Sequence, residues 1–281
     1  IFSGSTLRYG ELYFFNDYIF VNERNEGIHV IDNHDPKQPL NVAFIAIPGN
    51  NDLAIKDGIL YANSYIDLLA IDLSNFQDAQ VVGRVENVFP PLWEDVQTGK
   101  LMVGYLETEV TEELDCDSYG SLYQLWDGRW VKSSGGFEGD LAAFEDFSSG
   151  NAAGGGAGIG GSMARFTVVG DYLYVVDNYD MDVFDLHQAT QPSLATTVNI
   201  GWGIETIFPY QDKLFIGSNA GMFIFDNSNP TNPVQLAAFA HARACDPVFV
   251  KDNYAYVTLR DGTQCEGFVN QLDLVDISNI T

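Results

Sequence analysis

The stretch that decides the fold is Met222-Phe223-Ile224-Phe225-Asp226-Asn227-Ser228-Asn229-Pro230-Thr231-Asn232-Pro233, an apolar run closed by Asp and followed by a turn with two prolines. The same phrase stands at Ile28-His29-Val30-Ile31-Asp32-Asn33-His34-Asp35-Pro36, with its second proline at Pro39. Weaker copies close at Asp72, Asp185 and Asp276. Repeats of about 40 residues built from short apolar, β-branched and aromatic runs predict an all-β radial array, a propeller of four-stranded antiparallel blades.

Around each marker aspartate the repeat reads as four strands, A to D from the inside of a ring outward. Within residues 203–239, Thr206–Tyr210 is A, Lys213–Gly217 is B, Met222–Asp226 is C and Val234–Phe239 is D. Gln211-Asp212 and Asn219-Ala220-Gly221 supply the turns between them. The repeat from Ile47 follows suit, with Leu53–Lys56, Ile59–Asn63, Leu68–Asp72 and Gln80–Val85.

Residues 86–162 first read as an insertion. However, Glu86-Asn87-Val88-Phe89-Pro90 matches Glu205-Thr206-Ile207-Phe208-Pro209, and Lys100–Gly104 matches Lys213–Gly217. A strand C is expected at Leu122–Asp127. The chain then holds six repeats in one propeller domain, about 4–46, 47–85, 86–147, 161–202, 203–243 and 244–281, with the third one decorated. Ser148–Ser162 is a Gly-rich link whose Gly156, Gly158 and Gly161 imitate a dinucleotide fingerprint. That motif needs a helix after it, and strand-like Ala164–Val169 follows instead, so no nucleotide cofactor is expected. Gly4-Ser5-Thr6-Leu7-Arg8-Tyr9 mirrors Gly161-Ser162-Met163-Ala164-Arg165-Phe166, which aligns Arg8 with Arg165.

Lys and Arg number 13 against 39 Asp and Glu, a net charge of −26, which argues against nucleic acid or an anionic membrane face as partner. No run of about 18 apolar residues is present to span a membrane. The chain stops at Thr281, where a turn and a strand D are due, which points to a longer natural chain or a strand from a partner.

The repeated phrase, with the B strands Tyr172-Leu173-Tyr174-Val175 and Tyr254-Ala255-Tyr256-Val257, resembles the LVIVD-repeat β-propellers. These are bacterial cell-surface or secreted proteins, often lipoproteins of Bacteroidota. The resemblance covers nearly the whole chain and is strongest over residues 161–281. It implies an extracytoplasmic protein, a lipid anchor outside this stretch, and further repeats that bring the ring to seven or eight blades. The family has no common activity, so no catalytic residue carries over.

In a propeller, strand A lines the central channel, and the D–A and B–C loops share one face. The entry positions of strand A are Arg8, Asp52, Glu86, Arg165, Glu205 and Asp246. Four acids and two bases then converge on one channel mouth, either as mutually satisfied ion pairs or as a polar or cation-binding site. Cys245 and Cys265 fall in loops of that shared face and are candidates for a disulfide, the mark of an oxidising compartment, while Cys116 is left over. Residues 107–117 hold six carboxylates. Glu112, Glu113, Asp115 and Asp117 among them offer oxygen ligands for Ca²⁺, the one cofactor considered, although a solvated acidic face is the plainer reading. Trp93, Trp126, Trp130 and Phe137 either pack the decoration onto the ring or, if exposed, suit sugar stacking or a protein partner.

No catalytic triad order, phosphate loop or nucleophile elbow stands in the sequence. The expected function is therefore non-enzymatic, a protein-interaction or assembly module at the cell surface. The alternatives are a glycan- or Ca²⁺-binding accessory protein, and a lyase or hydrolase that uses the charged channel mouth for acid–base chemistry.

Overall fold

The computed structural model describes residues 9–95, 97–103, 123–126, 129–132, 159–160, 164–219, 221–240, 248–259 and 271–280. The chain forms two bodies, residues 1–103 with 146–281, and residues 104–145.

The larger body carries five blades. Repeat one gives β1 (Tyr9–Phe15), β2 (Tyr18–Glu23), β3 (Gly27–Asp32) and β4 (Leu40–Ala46), and repeat two gives β5 (Leu53–Lys56), β6 (Ile59–Ser64), β7 (Asp67–Asp72) and β8 (Gln80–Val85). Two short hairpins follow, β9 (Trp93–Asp95) with β10 (Lys100–Met102), and β11 (Tyr123–Trp126) with β12 (Arg129–Lys132). After β13 (Ile159–Gly160), repeat four forms β14 (Phe166–Val169), β15 (Tyr172–Val176), β16 (Asp180–Asp185) and β17 (Ser193–Asn199). Repeat five forms β18 (Ile204–Tyr210), β19 (Lys213–Ser218), β20 (Gly221–Asp226) and β21 (Val234–Ala240), and repeat six forms β22 (Val248–Lys251), β23 (Tyr254–Leu259) and β24 (Gln271–Asp276).

Each blade is an antiparallel meander, and all five share one register. The marker aspartate always lies opposite the first residue of strand B, as Tyr18 with Asp32, Ile59 with Asp72, Tyr172 with Asp185, Lys213 with Asp226 and Tyr254 with Asp276. The reason for Asp there is local. Asp32, Asp72, Asp185, Asp226 and Asp276 each accept the backbone N–H two residues on, at 2.7–3.0 Å, which opens the C–D turn. Asp127 lies outside the described residues.

Alternating side chains put apolar groups on both faces of a blade, and the faces pack blade against blade. One core joins repeats one, two and four, a second joins four and five, and a third joins five and six. The inner strands touch in the order β1, β5, β14, β18, β22. The fold is thus a propeller, and among the described residues the third repeat supplies no four-stranded blade.

That finding corrects the six-blade reading. Repeat four sits directly on repeat two: Tyr61 Oη donates to the Ala189 carbonyl at 2.9 Å, Lys56 Nζ meets Asp171 at 2.8 Å, and Arg165 N donates to Asp52 Oδ2 at 2.6 Å. Residues 86–90 form no strand. Val88 and Phe89 instead hang from the Ile66 carbonyl by their N–H groups, and Phe89 stacks on Phe166 with centroids 5.7 Å apart. The Pro90-Pro91 pair removes two successive ladder donors, so this copy of the strand A phrase cannot pair like its homologue. Its expected strand C overlaps β11, whose partner among the described residues is β12, both within the smaller body. The Gly-rich link also holds structure, because β13 pairs with the inner edge of β1.

A single substitution tests the junction of repeats two and four. A Cβ at Gly83 on β8 would strike the Thr190 carbonyl oxygen of repeat four. Gly83→Ala is expected to destabilise by about 1–3 kcal/mol in urea unfolding, the usual cost of overpacking.

Candidate functional site

The charged residues of the inner strands come from four different repeats. Asp52 precedes β5 and is buried, with Oδ1 accepting from Leu53 N at 2.7 Å and Oδ2 from Arg165 N. Glu11 on β1, also buried, shares a side-chain hydrogen bond with Asp52. Burial pushes Asp52 up to about 6, against the pull of the Glu11 hydrogen bond, the two backbone N–H donors and the Arg165 charge. Arg165 is itself lowered by desolvation, opposed by the charges of Asp52, Glu205, Asp177 and Glu11.

A ladder of buried asparagines fixes this arrangement from behind. Asn22 Nδ2 donates to Asn50 Oδ1, and Asn50 Nδ2 donates to the carbonyls of Asp52 at 2.9 Å and Asn63 at 3.0 Å. Asn63 Oδ1 accepts from Asn51 N at 2.8 Å and Asp52 N at 3.0 Å, and its Nδ2 donates to the Gly49 carbonyl at 3.0 Å. The backbone at the start of β5 is therefore held by side chains where no strand pairs with it.

Of the six positions expected at the channel mouth, Asp52, Arg165 and Glu205 come together. Glu86 is exposed and outside any strand, and Arg8 and Asp246 lie outside the described residues. The register replaces Arg8: counted back from the A–B turns, Glu11, Asp52 and Arg165 are equivalent. Matching Arg8 to Arg165 by look-alike residues put repeat one three positions out of step. The constellation is a joint between repeats one, two, four and five, in which the Arg165 charge lies among those of Asp52, Glu205, Asp177 and Glu11. Cys245, Cys265, Glu112, Glu113, Asp115 and Asp117 lie outside the described residues. Among the described residues no cluster of three or more His, Cys, Asp or Glu is placed to hold a metal ion.

A more accessible feature was hidden in the third repeat. Ile66, Asn87, Val88, Phe89, Pro90, Pro91, Glu94 and Leu101 line an open groove of about 440 Å³. The hairpin β9–β10 forms one wall, and Leu92, Trp93 and Leu101 are between 40 and 49% exposed there. Trp93 was among the aromatic candidates; the side chains of Trp126 and Trp130, and Phe137, lie outside the described residues.

Comparison with known proteins bears on the fold. Among solved structures, the chain is similar to the β-propeller domain of Cps50 (Swd1) from Myceliophteria thermophila, at 9% identity and a TM-score of 0.51, over 94% of this chain and 68% of that one. It is also similar to the computationally designed Ika8 protein, at 11% identity and a TM-score of 0.47, over 98% and 73% of the two chains. A functionally unknown protein from Desulfotomaculum acetoxidans matches at 9% identity and a TM-score of 0.45, over 91% and 80%. No curated protein matches the sequence. Among the described residues no helix is long and apolar enough to cross a membrane. The LVIVD repeat family matches residues 160–200, 211–239 and 242–281. The three matched stretches are similar to LVIVD repeats, and the fold they enter is a β-propeller.

Proposed function

We propose that the chain is a non-enzymatic propeller of the cell surface or secreted space that binds a protein partner. The observation that supports this best is the groove beside β9–β10. Leu101, Val88, Phe89, Pro90 and Pro91 give it an apolar lining with Glu94 and Asn87 among them, and Leu92 and Trp93 are exposed beside it, a combination that suits a docking partner. The charged inner joint supports the same reading from the other side. Glu11 and Asp52 are buried there with the Arg165 charge close to them, which suits a rigid scaffold better than a site that must exchange substrate and water.

Pull-down from native surface membranes tests the proposal. Trp93→Ala with Leu101→Asp is expected to reduce recovery of a saturable partner by about tenfold or more, with the melting temperature unchanged. Equal recovery by the variant would remove the groove from the account. Binding of a defined glycan that depends on Trp93 would favour the sugar-binding alternative.

A further inference from the structure

We propose that His34 and His187 are two copies of one acid-set latch: protonation lets each imidazole donate to two aspartates at once, which ties the A–B turn to the C–D turn in the blades on either side of repeat two. His34 Nδ1 lies 2.6 Å from Oδ1 of the marker Asp32, and its Nε2 lies 3.5 Å from Oδ2 of Asp17 in the A–B turn. His187 repeats the pattern, with Nδ1 2.7 Å from Asp185 Oδ1 and Nε2 3.7 Å from Asp171 Oδ2. Each ring stands edge-on to the first residue of its strand B, with centroids 5.5 Å from Tyr18 and 5.9 Å from Tyr172.

A neutral imidazole carries one N–H, so it serves one carboxylate and turns a lone pair toward the other. The imidazolium carries two and serves both. The charges that face His34 are those of Asp32 and Asp17. Those that face His187 are Asp185, Asp171 and, in the opposite sense, Lys56. The hydrogen bond to the marker aspartate is the first cause that lifts both imidazoles above their ordinary value. A raised value in the folded chain means that the latch contributes fully below the unfolded value and fades as pH rises through the folded one.

Both latches border repeat two. Tyr18 packs on Phe76, in the C–D turn of repeat two, with centroids 4.7 Å apart. Asp171 gives its other oxygen, Oδ1, to Lys56 of repeat two at 2.8 Å. Repeats two, five and six carry Ser74, Ser228 and Ser278 at the histidine position, which keep the backbone N–H bond to the marker aspartate without an imidazole.

Exposed ion pairs are individually weak, so the sensitive readout is the titration of each ring, followed by NMR in the intact chain. The midpoints of His34 and His187 are expected above the ordinary 6.5. Asp17→Asn should lower that of His34 and leave that of His187 in place, and Asp171→Asn should do the reverse. His34→Ser with His187→Ser installs the residue of the other blades and should keep the fold. It should also flatten the fall in urea midpoint between about pH 6 and about pH 8, while the contribution of Asp52 is common to both proteins and cancels. Either histidine titrating at or below 6.5, or midpoints that ignore the Asp17 and Asp171 changes, would overturn the proposal. So would an equal fall in urea midpoint with and without the two histidines.

Discussion

Arg165→Met is expected to cost the fold about 3–5 kcal/mol near neutral pH, because it leaves buried acids without their cation. The penalty should shrink at about pH 5, and the sign follows from burial. Asp52 is held up to about 6 in the folded chain, above its ordinary value of about 3.9. The native state therefore keeps a proton that the unfolded chain releases. This group's contribution is full below the unfolded value and is lost as pH rises through the folded one. Without Arg165 the folded value climbs further and the loss at neutral pH deepens. The carboxyls lowered by their turn hydrogen bonds, Asp32, Asp185, Asp226 and Asp276, act in the opposite sense but only in more acid solution. Urea unfolding at the two pH values checks the expectation, and equal losses at both would remove the charged joint from the account. Asp52→Asn on top of Arg165→Met should recover part of the loss, since the two groups interact directly.

The second large effect contrasts one repeat position in two blades. Ile224 and Leu274 occupy the same place in strand C, opposite Phe215 and Tyr256. Ile224 is buried between repeats five and six, so Ile224→Ala should cost about 2–5 kcal/mol. Leu274 is more than half exposed, so Leu274→Ala should cost less than about 1 kcal/mol in dilute protein. Similar losses at both positions would mean that the blades do not share the register described here.

Much of this fold was legible before any coordinates. In repeat two, Leu53–Lys56 and Gln80–Val85 are strands with the bounds expected, and the other two strands differ by one residue. The marker aspartates were legible because their task is local, a turn closed by one side chain on one N–H group. What misled was likeness without context. Residues 86–90 carry the wording of strand A, but two prolines and a neighbour already occupied by repeat four leave them no partner strand. Glu11 was missed for the same reason. Residue identity pointed to Arg8, whereas the distance back from the Asn16-Asp17 turn points to Glu11. The groove at β9–β10 had no signal of its own beyond the neighbouring Trp93, because its other wall includes Ile66 from the B–C turn of repeat two.

The account depends on repeat two being followed in space by repeat four. Zero-length carbodiimide cross-linking read by mass spectrometry tests that most directly, since Lys56 Nζ and Asp171 Oδ1 are 2.8 Å apart. A dominant link between the peptides carrying Lys56 and Asp171 is the expected result. Links from Lys56 to acids of residues 86–145, with none to Asp171, would place a third blade between them and contradict the five-blade order.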